Sequence, residues 1–389
     1  MKKKVVLIAV VAVVAVLLLI YPENCLNSAR YGLNLWLTAV LPALFPFMVA
    51  SFLLLETGIV RLIAHIFAPV TRTLFYAPGE SAYVLFASAM SGYPVGARLS
   101  SELYINKQIT ESEAQRIIRF TSVSGPVFMT GTVCTGLLGL PESGVYIAAA
   151  HYLSAIALGI LFGIFARRQR LKIHDTPRPS FREALARFKK DAAACPPVGD
   201  MLSDSVEKAL IVMLKVGSYI ILFSVILEML SVTGVMDVLG WVYAPIAKVA
   251  GFSNESARAL LYGGVEITSG CARVAALSLP VNVKLPIVGG IIAFGGMCIH
   301  MQTTAMMAGS GLKPKGFLLA KSIQAMLAFG FTSLLLAVFP LTAAVSNIGA
   351  ESKTAAYGGV IFAAAALAVL IVIKVWQARS KRSAFPFTR

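Results

Sequence analysis

Four dipeptides occur twice in this chain, in the same order and at nearly constant spacing. Thr57-Gly58 is answered by Thr233-Gly234 and Ala68-Pro69 by Ala244-Pro245, each 176 positions later. Glu80-Ser81 is answered by Glu255-Ser256 and Ala97-Arg98 by Ala272-Arg273, each 175 later. One single-residue gap aligns the set, which reads as two copies of one structural unit. In each copy an apolar stretch is interrupted by small, turn-forming residues and closed by an arginine. The first reads Ser91-Gly92-Tyr93-Pro94-Val95-Gly96-Ala97-Arg98, the second Glu266-Ile267-Thr268-Ser269-Gly270-Cys271-Ala272-Arg273. Interrupted apolar segments in a duplicated unit are how a membrane protein builds a polar site.

With 58% hydrophobic and 13% charged residues, a soluble globular chain is excluded, because its surface needs far more charge. The expected fold is an all-α polytopic membrane protein of about eight spans, at roughly 20 residues each. A net charge of +16 raises the question of nucleic acid. The basic residues, however, cluster in flanking segments, where they set topology and meet anionic lipid headgroups, so no nucleic-acid partner is expected. The five cysteines, at 25, 134, 195, 271 and 298, form no CxxC pair and read as small hydrophobes, neither a disulfide framework nor a metal site. No HExxH or GxxxxGK[ST] pattern occurs, so neither a metalloenzyme nor an ATP-driven pump is indicated, and no cofactor is expected.

Residues 1–32 read as a signal-anchor span, with Lys2-Lys3-Lys4 before the apolar run Val5 to Ile20, followed by an outer loop. The first repeat, 33–166, opens with a span near 33–55. An amphipathic interfacial helix follows from Ile59 to Pro69, with Arg61 and His65 on one face. Ser81 to Met90 is only ten residues long, about 15 Å of helix and half a hydrocarbon core, so the segment 81–106 reads as a re-entrant hairpin. A charged helical start at Glu111 to Arg119 leads through Ser124-Gly125-Pro126, a helix break, into apolar residues to Leu140. A span near 144–166 closes the repeat.

Residues 167–208 form a cytoplasmic linker with ten Lys or Arg; Phe181 to Lys190 within it reads as a surface helix or a solvated loop. The second repeat, 209–340, offers a span near 210–230, an interfacial segment at 235–250, a hairpin around Glu266 to Arg273, a broken helix at 285–307 and a span at 317–340. Residues 341–389 hold a last span near 356–376 and a basic tail. An odd number of crossings per copy inverts the second copy. Placing both termini in the cytoplasm leaves only Arg30, Lys248, Arg258, Lys284, Lys353 and the hairpin Arg273 outside, as the positive-inside bias requires.

Three motifs carry a resemblance: the octapeptide at 91–98, Ser-Gly-Pro at 124–126, and Gly-Gly-Met-Cys-Ile-His at 295–300. The chain resembles the YlbJ/SpoVV-type sporulation integral membrane proteins, whose repeats are called nucleoside-recognition or gate domains, over nearly its whole length. The resemblance implies similarity in fold to concentrative nucleoside transporters and a place in the outer forespore membrane of an endospore-forming bacterium. It also implies movement of dipicolinate, pyridine-2,6-dicarboxylate, out of the mother cell. Transport of a nucleoside or another small solute, and a non-transporting scaffold of the spore envelope, are the alternatives.

Ionisable groups inside a membrane are costly and are functional hypotheses by default. Arg98 and Arg273 hold equivalent hairpin positions and are expected to bind a small anionic substrate jointly; the bland alternative is snorkelling at the interface. Glu266 is a candidate for ion coupling or for pairing with Arg273. Glu228 and Lys215 are a proton-linked group or a structural pair. Ser91, Gly92, Tyr93, Ser124, Gly125, Thr268, Ser269, Gly270, Gly295, Gly296, His300 and Gln302 complete the expected substrate site, although serine, threonine and glycine also serve plain helix packing. A homo-oligomer is compatible with all of this.

Overall fold

The computed structural model describes residues 2–171, 173, 180–249 and 251–341; the span expected at 356–376 and the basic tail lie outside the described residues. All regular structure among these residues is helical. The N-terminal part comprises α1 (Lys2–Ile20), α2 (Pro22–Leu35), a π-helical turn at Trp36–Val40 and α3 (Leu41–Glu56). The first copy continues with α4 (Ile59–Leu74), α5 (Glu80–Ser91), α6 (Tyr93–Ile105), α7 (Glu111–Thr121), a π-helical segment (Phe128–Leu137) and α8 (Gly144–Arg168). After the linker helix α9 (Phe181–Ala193), the second copy runs through α10 (Val198–Val232), α11 (Val235–Val249), α12 (Asn254–Val265), α13 (Ile267–Ala276), α14 (Val281–Phe294), α15 (Gly296–Met306) and α16 (Phe317–Val338).

The duplicated dipeptides mark the same structural event in both copies. Gly58 has φ 76° and Gly234 φ 75°, so each Thr-Gly makes the left-handed turn that ends a long helix and starts an amphipathic one. Pro69 and Pro245 then sit inside α4 and α11 at corresponding places. Glu80 and Glu255 are the first-turn acids of the two hairpin arms α5 and α12, where a negative charge favours a helix start.

Five helices among the described residues are long and apolar enough to cross a bilayer: Pro22–Glu56, Pro141–Arg168, Val198–Val232, Val281–Met306 and Phe317–Val338. The broken helix expected over 111–140 is present as two short pieces, α7 and the π-helical segment, either side of a break at residues 122–125. The outer loop expected before residue 33 is helix, because α2 lies along α10 at backbone contact; a Cβ on Gly32 would stand 2.7 Å from Ser224 Oγ. The π turn precedes Pro42, which cannot donate to the carbonyl four residues back, so the wider turn absorbs the mismatch.

Helix α10 starts a dozen residues before the expected Leu210. Its polar first turns are held by Lys208, which bonds Glu56 at 2.6 Å and Asp204 at 2.5 Å. In lipid, helices associate through close packing more than through apolar burial. The contacts bear this out: Gly217 faces the Trp36 indole, and Gly163 faces the backbone of Leu74 and Phe75. The largest core cluster mixes the copies, with Tyr93, Met129 and Ile147 against Ile267, Ile287 and Ile292.

Candidate functional site

Each hairpin turns differently. Between α5 and α6 the chain turns on Gly92, with φ 88° and ψ −176°. Between α12 and α13 it turns on Glu266 in an extended conformation. The Glu266 carboxylate folds over the start of α13, accepting the Thr268 N–H at 2.9 Å and the Ser269 N–H at 2.6 Å. It thereby satisfies two of the N–H groups a helix start leaves open, and its charge meets the positive end of the helix. The turn therefore lies just before Thr268-Ser269-Gly270, which occupy the first turn of α13. Gly270 closes the hairpin instead of breaking it, since a Cβ there would come 2.2 Å from Gly263 Cα on α12.

The two helix breaks rest on the two hairpins. In the first copy residues 122–125 are non-helical, and a Cβ on Gly125 would lie 3.7 Å from the Gly92 N–H nitrogen and the Met90 oxygen. In the second copy Gly295 and Gly296 are consecutive left-handed residues at φ 82° and 67°. A Cβ on Gly296 would lie 2.9 Å from the carbonyl oxygens of Gly263 and Val265.

Freed backbone groups inside a membrane need partners, and side chains from other helices supply them. Ser124 donates its N–H to His151 Nε2 at 2.9 Å, so that nitrogen carries no proton. Tyr152 donates its hydroxyl to Ser124 O at 3.1 Å. Lys321, fully buried on α16, donates to Ser122 O and, at 2.7 Å, to Gln324 Oε1. In the second break His300 Nε2–H donates to Phe294 O at 3.1 Å. The Tyr93 hydroxyl, from the first hairpin, donates to Ile292 O at the end of α14. His151, Tyr152, Lys321 and Gln324 were not among the expected site residues. For Lys321 the signal was present: a lysine four positions into an otherwise apolar span.

Hairpin turns and breaks converge on one cavity of about 70 Å³. The first copy contributes Ser91, Gly92, Tyr93, Ser124 and Gly125; the second contributes Glu266, Thr268 and Gln302; α3 and α10 close it with apolar side chains such as Met48 and Met213. Gln302 donates to Cys298 Sγ at 3.3 Å. The Ser91 hydroxyl is buried without a hydrogen-bond partner. Ligand pockets run to about 300–1,000 Å³, so this volume suits a few waters, and an aromatic ring would need the hairpins to part.

Both halves of that cavity fall inside one family signature. The nucleoside-recognition family model named Gate matches residues 37–141 and 213–351, one stretch per copy. The chain belongs to the Gate family. It is also 33% identical over 319 residues to the sporulation integral membrane protein YlbJ of Bacillus subtilis strain 168, across 81% of this chain and 78% of that one. No solved structure matches. The Gate stretches contain both hairpin turns, both breaks and every polar residue that lines the cavity.

Several expected residues stand outside this Gate cavity, and the shared arginine site is not formed. Arg98 is half-exposed on α6 and bonds Glu102 at 2.9 Å, one helical turn on. Arg273 lies over the Tyr262 ring at 3.6 Å in a separate vestibule. The physical reason is local: each arginine sits nearly two helical turns beyond its hairpin turn and does not line the cavity. Glu266 caps α13 and makes no ion pair with Arg273 among the described residues. Glu228 accepts from Asn24 Nδ2 at 2.9 Å, and Lys215 is exposed on α10. Thirteen residues of helix separate those two by about 20 Å, so they are not a pair. Ser269 and Arg273 line the vestibule; Gly270, Gly295, Gly296 and His300 shape the walls without lining the cavity.

Proposed function

We propose that this Gate protein is a carrier or facilitator for a small anionic solute, with no catalytic chemistry of its own. In this reading the solute is pyridine-2,6-dicarboxylate, moved out of the mother cell across the outer forespore membrane during sporulation, with both termini cytoplasmic. The observation that carries the anionic reading is a mismatch between the copies. Glu266 caps α13 with a carboxylate, whereas the corresponding Ser91 leaves α6 without a side-chain cap and has a buried hydroxyl without a partner. A solute carboxylate at the start of α6 would do there what Glu266 does at α13, using the Ser91 hydroxyl and the Tyr93 N–H. Lys321, fully buried beside the first break, adds an amine donor two residues from Ser124 through its bond to Ser122 O. The membrane-embedded cavity between two hairpins supports transport, because such folds open by moving one element against another around a central site.

A nucleoside is the second reading, favoured by the Gate family's description and by the Gln302 amide in the cavity wall. The deciding experiment is uptake by liposomes containing the full chain, with labelled pyridine-2,6-dicarboxylate and labelled uridine in parallel. Entry of the dicarboxylate alone is the expected result. Entry of uridine alone would move the assignment to nucleosides. Entry of neither by folded protein would make the chain a structural component of the spore envelope.

A further inference from the structure

Beside the second hairpin lies a polar vestibule of about 540 Å³, bounded by Asn24, Tyr31, Glu228, Tyr262, Ser269 and Arg273 among others. We propose that it is a second binding site, an outer-side site that takes a carboxylate-bearing solute on Arg273 between the central cavity and the outer face. Its role as a station on the outer side of the path rests on the carrier reading; its capacity to bind a carboxylate does not.

Three observations converge on it. The Arg273 guanidinium carbon sits 3.6 Å from the centroid of the Tyr262 ring, so one face of the group is covered and its orientation is fixed. A stacked guanidinium keeps its in-plane N–H fork free for two parallel bonds to a carboxylate. No carboxylate oxygen among the described residues lies within ion-pair distance of Arg273, in contrast to Arg98, which Glu102 holds at 2.9 Å. Nor does the vestibule's own acid occupy it, since Glu228 is tied to Asn24 across α10 and α2 at 2.9 Å.

The third observation is position. Ser269 lines the vestibule, and its hydroxyl is buried beside the Glu266 carboxyl group. Its backbone N–H bonds Glu266, and Glu266 lines the central cavity. The first turn of α13 therefore forms part of the partition between the two spaces. A carboxylate held on Arg273 stands at that partition, and a shift of α13 would join vestibule and cavity.

The test is the rate at which phenylglyoxal modifies each arginine of the full chain in phosphatidylcholine nanodiscs, followed by peptide mass spectrometry. Arg98, half-exposed but ion-paired, is the internal control. Pyridine-2,6-dicarboxylate should slow modification of Arg273 several-fold and leave Arg98 unchanged, while the neutral pyridine-2,6-dicarboxamide should protect neither. Equal rates with and without the dicarboxylate, or equal protection by the diamide, would overturn the site. So would protection of Arg273 by phosphatidylglycerol nanodiscs alone, because the site would then be a lipid-headgroup contact. Uptake separates this proposal from the carrier reading: Arg273→Gln should raise the KM for the dicarboxylate several-fold at unchanged maximal rate, with Arg98→Gln as wild type. Protection without any uptake would sink the carrier reading and leave the carboxylate site standing.

Discussion

Lys321 on α16 donates a hydrogen bond to the carbonyl oxygen of Ser122, which lies 199 residues earlier in the break of the first copy. The second copy thus props open the first copy's helix break. The Tyr93 and Phe317 rings stand 5.6 Å from the same ammonium, within reach of cation–π attraction. Lys321→Met should destabilise the protein by about 1–3 kcal/mol, the cost of leaving a buried acceptor unpaired. Lys215→Met, on an exposed face, should leave stability unchanged. Thermal unfolding of both variants in detergent checks the contrast, and an unshifted Lys321→Met transition would show that Ser122 O has another partner.

Glu266 presents a graded series. Glu266→Ala removes the acceptor for two backbone N–H groups at the start of α13, a loss of about 0.5–2 kcal/mol for an N-cap. Glu266→Gln keeps one carboxyl-like oxygen and should lie between alanine and wild type. Unfolding midpoints in the order Glu, Gln, Ala are expected; a glutamine variant below alanine would mean that the cap is not what Glu266 contributes.

The glycines at the breaks and hairpins should not be equivalent. An alanine Cβ at Gly270 would meet Gly263 Cα at 2.2 Å, and one at Gly296 would meet two carbonyl oxygens at 2.9 Å with φ at 67°. At Gly125 the nearest atoms are 3.7 Å away, an ordinary contact. Gly270→Ala and Gly296→Ala should each cost about 1–3 kcal/mol or more through overpacking, and Gly125→Ala much less. Yield of monodisperse protein after solubilisation reads the difference.

Linker helix α9 packs against α4, where Arg61 and Asp191 approach to 3.9 Å. An Arg61→Cys, Asp191→Cys pair should therefore be joined by a short bifunctional thiol reagent. Impermeant thiol labels should reach residues 61 and 191 only from the side that also exposes the N-terminus. A tag at 348–352, outside the described residues, should report the opposite side. A linker labelled from the opposite side to the N-terminus would overturn the duplicated topology with cytoplasmic termini.

What the amino-acid sequence determined by itself is the set of local events. Thr-Gly makes the same left-handed turn at 58 and 234, Gly92 and Gly295-Gly296 interrupt apolar helices, and Thr110 with Glu113 caps α7. These outcomes depend on backbone preferences within a few residues, which is why the repeat, the hairpins and the breaks are legible without coordinates. Tertiary structure alone decided which side chains meet. On a helix each residue turns by about 100°, so equivalent positions such as Arg98 and Arg273 can point anywhere until neighbouring helices fix rotation and depth. Packing put Arg273 over Tyr262, while Arg98 pairs with Glu102 one turn on along its own helix, away from the cavity. It also brought Lys321 and His151 from two other helices to the free backbone groups of Ser122 and Ser124. A buried ammonium and a broken helix each need partners, and only the folded arrangement decides that they find each other.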